Sequence, residues 1–191
     1  MSKTRYIGDD FIDWDLEAEL RIAEKSTAES YVKALDYLDK YLTTGKVLLD
    51  LGCNIASWAN QLTLYGVEYE GLDPSPTAIT HARKRHPGLK FYHKNALDMD
   101  FVERYDIVFT NTVMQHIKTP NQVIIFRNIY TALKPSGVFI MREKDDLDSN
   151  THHSKEIWIS LLDKVGLELV EYVPASDPRT NTSTYVTRRK Q

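Results

Sequence analysis

The chain has 191 residues, of which 42% are hydrophobic and 27% charged, and its formal net charge is −3. This length can build one hydrophobic core but not two, so a single domain over residues 1–191 is predicted, and the composition is unlike that of disordered or membrane proteins. The small negative charge disfavours binding to a nucleic-acid backbone, and no apolar run approaches the roughly 20 residues that a membrane-spanning helix needs.

The only cysteine of the sequence is Cys53. A single cysteine excludes an intramolecular disulfide and a cysteine-built metal site, as is usual in a reducing compartment. Residues 1–6 have no apolar targeting core, so export is not expected. We therefore expect a cytoplasmic protein, and the sequence leaves its oligomeric state open.

Helical and strand patterns follow one another along the chain. Apolar residues at helical spacing predict two helices before residue 45, as a helical cap (1–45) ahead of a core (46–191). The apolar run 47–51 is too short for a helix and predicts a buried strand. The further predicted helices cover about residues 56–65, 77–85, 122–133 and 155–165, and the further strands cover about 68–72, 89–93, 105–110, 138–142, 167–173 and 184–188.

Strands that alternate with helices need crossover connections, so the fold class is α/β with a doubly wound, mostly parallel seven-stranded sheet and helices on both faces. No helix is predicted between the strands 167–173 and 184–188. These two strands are therefore expected to form a C-terminal antiparallel hairpin.

The loop after the first strand is the first place to expect a ligand, because ligands bind at the carboxyl ends of parallel strands. Gly52 would let a ligand approach the backbone, and Asp50 could accept a hydrogen bond from an amine. An ordinary turn, with Gly52 at positive φ and Asp50 bonded to local amides, explains the same residues. Asp73 ends the next strand, about 20 residues on, where a nucleoside-binding βαβ unit places an acid against the ribose hydroxyls.

Five segments in order and spacing resemble the motifs of the class I S-adenosylmethionine-dependent methyltransferases. They are 50–53 (DLGC), 71–75 (GLDPS), 105–108 (YDIV), 113–117 (VMQHI) and 133–137 (LKPSG). The resemblance runs from about residue 47 to 137, with looser agreement through 162–167. It departs from the family in the first loop, where Asn54 and Ala56 replace two glycines. Asn tolerates left-handed geometry best and Ala has the smallest side chain with a Cβ, so we expect a retained but reshaped loop.

The resemblance implies S-adenosylmethionine as the cofactor, with Gly52 against it, Asp50 near its amino acid moiety and Asp73 on its ribose. By the same resemblance, the cofactor-binding residues are Asp50, Gly52, Cys53, Asn54, Asp73, Pro74, Ser75, Asn95, Ala96, Leu97, Asn111 and Thr112. The family commonly has Asp where Asn95 stands, and an Asn carbonyl oxygen can also accept from the adenine amine.

Methyl transfer from a sulfonium needs positioning and exclusion of water rather than a protein nucleophile. His116 follows the fourth core strand and is the one candidate catalytic base, although a histidine there can equally shape the loop. Trp14, Gln115, His116, His152 and His153 are the predicted substrate contacts. Packing of the N-terminal helix is the plainer explanation of Trp14.

The segment from Glu143 to His153 carries acids and histidines without a known ligand spacing, so we interpret it as a solvated loop that contacts substrate and predict no metal. The predicted partner is a small-molecule acceptor, methylated on O or N. Two alternatives stay open: a noncatalytic cofactor-binding subunit of a methyltransferase complex, and an NAD-dependent oxidoreductase. The side chains at 53–57 crowd the path that a pyrophosphate would need, which disfavours the second.

Overall fold

The computed structural model describes residues 6–7, 11–23, 35, 38–145, 150–175 and 182–190. Its helices and strands follow the alternation that the sequence predicts. In chain order they are β1 (Tyr6–Ile7), β2 (Phe11–Ile12), α1 (Trp14–Ala23), β3 (Val47–Leu51), α2 (Ala59–Leu64), β4 (Glu68–Asp73), α3 (Pro76–Arg85), β5 (Lys90–His93), β6 (Tyr105–Asn111), α4 (Thr119–Ala132), β7 (Leu133–Glu143), α5 (Lys155–Lys164), β8 (Leu167–Val173) and β9 (Ser183–Arg189).

Seven strands form one sheet in the order β5-β4-β3-β6-β7-β9-β8. The pairs from β5 to β7 are parallel, whereas β9 runs antiparallel to both of its neighbours, β7 and β8. The predicted mostly parallel seven-stranded sheet and its C-terminal antiparallel hairpin are confirmed. The order reverses direction between β3 and β6, so the ends of these two strands flank the switch point at which such sheets bind ligands.

Each face of the sheet carries its own core. On one face, α4 and α5 contribute Phe126, Ile129 and Trp158 to a cluster with Phe139 and other buried residues of the strands. On the other face, α2, α3 and the segment around Leu38 pack on a second cluster, which contains Phe109. Burial on both faces makes the strands almost continuously apolar, which explains why β3 could be recognised as a buried strand from its sequence.

Three predicted boundaries are wrong. The helix expected from residue 56 begins at Ala59, because Asn54 and Ala56 have φ of 48° and 57°, a left-handed geometry that no α-helix contains. The helix expected from 122 begins at Thr119, with Pro120 in its first turn, where the missing N–H costs nothing. The strand expected at 138–142 extends over Leu133–Glu143.

The predicted first helix of the N-terminal region is confirmed as α1, which packs through Ala18 against Ile55 and Ala78. The predicted second helix falls largely on residues 24–34, 36 and 37, which lie outside the described residues. The division into a cap and a core stays a prediction. Within the described residues, no helix is long and apolar enough to cross a membrane.

Candidate functional site

The candidate site lies at the edge of the sheet where β3, β4, β6 and β7 end. Parallel strands bring their carboxyl ends to one edge, so the loops that follow these four strands become neighbours. The predicted site residues in the loops after β3, β4 and β6 are thereby brought together, although they are spread over more than sixty positions of the sequence.

The first loop folds back onto the end of β4. The backbone N–H groups of Gly52 and Cys53 both donate to the carbonyl of Leu72, at 2.8 and 3.1 Å. Gly52 has φ of 76°, and a Cβ added to it would lie 2.6 Å from Cγ2 of Val113. This position needs glycine for two reasons that do not involve a ligand, so the predicted contact of Gly52 with the cofactor stays a prediction.

Asp73 holds the first and second loops together. One carboxylate oxygen accepts the backbone N–H of Asn54 at 2.9 Å, and the other accepts that of Ser75 at 2.9 Å. The side chain is 5% exposed, and this burial raises the pKa of Asp73, which the two backbone N–H donors oppose. Each oxygen has a second lone pair, so Asp73 can still accept two hydroxyl groups.

Asp50 lies deeper than the sequence suggested. Its carboxylate accepts the hydroxyl of Tyr69 at 2.7 Å, and burial, the largest effect, raises its pKa to about 7. Cys53 also turns inward, since a Cβ on Gly71 would lie 2.8 Å from its Sγ. Only the backbone of Cys53 belongs to the loop surface, and its side chain is part of the core.

The turn after β5 contains the predicted adenine contacts Asn95, Ala96 and Leu97. Asn95 begins a short 3-10 helix, and its Oδ1 accepts the backbone N–H of Leu97 at 3.0 Å. Asn128 of α4 donates to the carbonyls of Ala96 and Leu97 at 2.9 and 3.0 Å. Asn128, which sequence reasoning missed, therefore anchors this turn to α4. Pro74 lies beside this strand end, its carbonyl 2.9 Å from Nε2 of His93.

The start of α1 lies across the edge of the sheet. Asp15 accepts hydrogen bonds from the hydroxyl of Ser75 and the backbone N–H of Thr77, which follow β4. The ring of Trp14 meets that of His116, which follows β6, edge to face at 5.9 Å between centroids. Because β3 lies between β4 and β6, α1 begins above the end of β3 and its loop. Sequence reasoning had no signal for Asp15.

Buried side chains shape the loop after β6. Glu143, fully buried at the end of β7, accepts the backbone N–H groups of Val113 and Met114, both at 2.7 Å, and of Gln115 at 3.3 Å. Burial raises the pKa of Glu143 to about 7, against these three donors. The interpretation of Glu143 as part of a solvated loop is wrong, because the residue still belongs to β7 and points into the core.

Gln122 of α4 joins the same loop to the segment before α5. Its Nε2 lies 2.7 to 2.9 Å from the carbonyl oxygens of Met114, Ile117 and Thr151, so its two N–H groups are shared among three acceptors. Its Oε1 lies 2.9 Å from Nε2 of His153. Sequence reasoning missed Gln122, although a glutamine on the apolar stripe of a helix is a signal of buried polar contacts.

His153 is 4% exposed and packs its ring against Trp158, at 4.6 Å between centroids. The interpretation of His153 as part of a solvated loop is therefore wrong. His152 is half-buried, with its Nδ1 3.0 Å from the hydroxyl of Thr151. Contact of these two histidines with a substrate stays a prediction. Among the described residues, no group of three or more acids, histidines or cysteines could hold a metal ion.

Gln115 and His116 lie next to each other at the mouth of the site. Nε2 of Gln115 is 3.3 Å from Nε2 of His116, so Gln115 donates to His116 when the imidazole is neutral with its lone pair on Nε2. Oε1 of Gln115 is buried and has no hydrogen-bond partner among the described residues. Asn111 and Thr112 lie at the end of β6, just before this loop, and Thr112 has φ of 56°. These four residues surround the place where we expect the acceptor.

Residues 49–139 match the family model of a methyltransferase domain. The core of this chain is therefore similar to a methyltransferase domain. Among its relatives, the trans-aconitate 2-methyltransferase of Methylobacterium nodulans is 27% identical over 143 residues, which are 73% of this chain and 53% of that protein. The ubiquinone biosynthesis O-methyltransferase of Rhodopseudomonas palustris is 32% identical over 51% of this chain and 40% of that protein.

The methyltransferase fold is also that of a solved TehB-like S-adenosylmethionine-dependent methyltransferase from Corynebacterium glutamicum, with a TM-score of 0.71 and 17% identity over 93% of this chain and 97% of that one. The chain spans about half the length of the named relatives it matches. Family and fold imply S-adenosylmethionine as the cofactor. The residues fit it, because Asp73 keeps acceptor capacity on both oxygens beside the first loop.

Proposed function

We propose that this chain is an S-adenosylmethionine-dependent methyltransferase that acts on an oxygen or nitrogen atom of a small-molecule acceptor. The observation that carries the proposal is Asp73, a buried carboxylate with one backbone donor on each oxygen and one lone pair of each still available. The two hydroxyls of a ribose are neighbouring donors that a single carboxylate can accept together. The relatives named above support a small-molecule acceptor, since one name specifies trans-aconitate and the other O-methylation in ubiquinone biosynthesis.

The cofactor would supply an electrophilic methyl group, and the chain would supply position. Asp73 would hold the ribose. The rest of the cofactor site would be lined by Asp50, Pro74, Ser75 and the turn at Asn95. Trp14 and α1 would keep water from the reacting atoms, because α1 begins above the end of β3. Each of these roles is a part of the proposal that a substitution can test.

His116 would act beside the acceptor. A neutral imidazole can accept a proton from an acceptor hydroxyl or ammonium group, but Nε2 of His116 lies 3.3 Å from Nε2 of Gln115. The side chain of Gln115 must therefore turn away, or accept a hydrogen bond from the methyl acceptor, before His116 can act as a base. We place His116 and Gln115 on the acceptor side and propose a cytoplasmic site of action, which the single cysteine supports.

A noncatalytic cofactor-binding subunit would have the same Asp73 and the same fold. An NAD-dependent oxidoreductase is disfavoured by the strand order, because β9 enters the sheet antiparallel between β7 and β8, whereas the dinucleotide-binding order consists of six parallel strands. Its phosphate-binding turn also needs glycines where Asn54 and Ser57 stand.

Two measurements test the proposal. Calorimetry should detect S-adenosylmethionine and S-adenosylhomocysteine binding to the wild type and no binding of NAD. A screen with cofactor labelled on the methyl group should then detect transfer to compounds of a metabolite pool, with trans-aconitate and phenolic ubiquinone precursors included. Binding without transfer to any compound would favour the noncatalytic subunit. Absence of S-adenosylmethionine binding would reject both.

A further inference from the structure

Arg142 is a buried cation that forms no ion pair with any of the described carboxylates. The side chain is 8% exposed, at the end of β7, and its Nη1 donates to Oδ1 of Asn111 at 2.9 Å. The guanidinium lies over the ring of Trp58, at 5.4 Å from the centroid. Its Nε is buried and has no hydrogen-bond partner among the residues that the structure describes. Within the described part of the chain, no carboxylate forms an ion pair with it.

Three other arginines of the chain form ion pairs. Arg104 contacts Glu70 at 2.6 Å, Arg188 contacts Glu168 at 2.8 Å, and Arg189 contacts Glu103 at 2.9 Å, and all three are more exposed than Arg142. The neighbouring acid, Glu143, points to the opposite face of β7, and its oxygens accept three backbone N–H groups. Of these four arginines, the most buried is thus the one that forms no direct ion pair with a described carboxylate.

An arginine remains charged at every physiological pH, and burial of its charge without a partner costs several kcal/mol. Its hydrogen bond to Asn111 and its stacking on Trp58 offset part of this cost, but both interactions are available to neutral side chains. A ligand that carries a negative charge would complete the site.

The Nε and Nη2 side of the guanidinium is complementary in shape to a carboxylate. With Nη1 used by Asn111, the Nε and Nη2 side keeps two parallel N–H groups, and the described residues provide no acceptor for either. Two parallel N–H groups match the two oxygens of a carboxylate. The stacked Trp58 keeps the guanidinium plane in place.

Arg142 is on the acceptor side of the cleft. Its strand, β7, is three positions from β4 in the sheet, so it ends about 14 Å from Asp73, whereas its guanidinium reaches Trp58, which follows the first loop. It is paired in register with Asn111, which ends β6 just before the loop of Gln115 and His116. A group bound here lies beside the proposed acceptor position rather than beside the ribose.

We propose that Arg142 binds a carboxylate of the methyl acceptor, so that the acceptor is a small carboxylic acid in its anionic form. This inference rests on the proposed methyltransferase function, since it assigns the substrate class of the same site. The methionine part of the cofactor also carries a carboxylate, and the experiment must separate these two sources.

The test compares wild type, Arg142→Gln and Arg142→Lys with Arg127→Gln, a control that removes an exposed arginine of α4. Calorimetry measures the affinity of each for S-adenosylhomocysteine, and then for succinate, citrate and benzoate against succinamide and benzamide, with and without S-adenosylhomocysteine. Chloride keeps the ionic strength equal. Circular dichroism and melting temperature verify that each variant is folded.

We expect the wild type and Arg127→Gln to bind at least one carboxylate more tightly than its amide. Arg142→Gln should lower that affinity tenfold or more, with S-adenosylhomocysteine affinity within twofold of the wild type, and Arg142→Lys should be intermediate because it keeps the charge but not the two parallel donors. Equal binding of acids and amides by the wild type, or equal carboxylate affinity in Arg142→Gln, would overturn the inference.

A parallel loss of S-adenosylhomocysteine affinity in folded Arg142→Gln would also overturn it, because Arg142 would then serve the cofactor's own carboxylate. Failure of the proposed function has a different signature, namely a wild type that binds no S-adenosylhomocysteine at all. The two failures are therefore distinguishable in one set of titrations.

Discussion

The carboxylate of Asp73 accepts the backbone N–H of Asn54 at 2.9 Å, and this bond joins the end of β4 to the loop after β3. Nineteen positions separate the two residues in sequence, and the adjacent parallel strands bring them together. The same carboxylate is the one that we expect to hold the ribose, so the residue has a structural and a binding role at once.

Replacement of Asp73 by Ala should weaken the binding of S-adenosylhomocysteine by about 1–3 kcal/mol, because two hydroxyl groups lose their acceptor. Asp73→Asn should lose a similar amount, since its amide nitrogen cannot accept. Calorimetry measures the effect, and Asp100→Ala, an exposed acid paired with Lys94, is the control. Unchanged affinity in a folded Asp73→Ala would refute the ribose contact.

Replacement of Gly52 by Ala should destabilise the protein for two separable reasons. The positive φ alone costs about 1–2 kcal/mol for a residue with a Cβ, and the new atom would also meet Val113. Val113→Ala removes the Cγ atoms that the new Cβ would approach within 3.0 Å. Urea denaturation of both single variants and the double variant should therefore show a double variant more stable than the sum of the single effects predicts. Additive losses would mean that the contact with Val113 is not the constraint.

Replacement of Asp50 by Asn should change how stability depends on pH. Burial raises the pKa of Asp50 to about 7, above its ordinary value near 4, so the folded state binds the proton more tightly than the unfolded chain. Its stabilising contribution is complete below pH 4 and is lost as the pH rises to about 7. The variant lacks this loss, so its stability relative to wild type should rise between pH 5 and pH 8.

Denaturation of both proteins at pH 5 and pH 8 measures this difference. The comparison must be between variant and wild type, because the lowered pKa values of His81 and His86 act in the opposite direction. Glu143→Gln should show the same trend, since burial raises the pKa of Glu143 to about 7 as well. Parallel pH profiles for Asp50→Asn and wild type would contradict the raised pKa of Asp50.

Replacement of Gln122 by Leu should destabilise the protein by on the order of 3 kcal/mol, since buried carbonyls of two segments and the ring of His153 lose their partner. Thermal or urea denaturation measures the loss. Asn121→Leu, one residue away and exposed, should change stability by less than about 0.5 kcal/mol. Equal effects of the two substitutions would show that the bonds of Gln122 contribute little.

The sequence by itself determined the fold class and the position of Asp73. Apolar runs too short for helices marked the buried strands, and the distance from the first loop to Asp73 followed from the size of a βαβ unit. The motifs between residues 50 and 137 then identified the family. These features are local, because they depend on neighbours along the chain.

Only the tertiary structure decided which side chains meet. Four contacts join segments that have no sequence pattern in common. They are the contacts of Asp15 with Ser75, of Glu143 with the loop at Met114, of Gln122 with His153, and of Val113 with Gly52. The left-handed geometry of Ala56 also shortened α2, because the closing of the first loop on β4 outweighed the helical preference of alanine. Contacts between distant segments depend on strand order and packing, which a single sequence does not state.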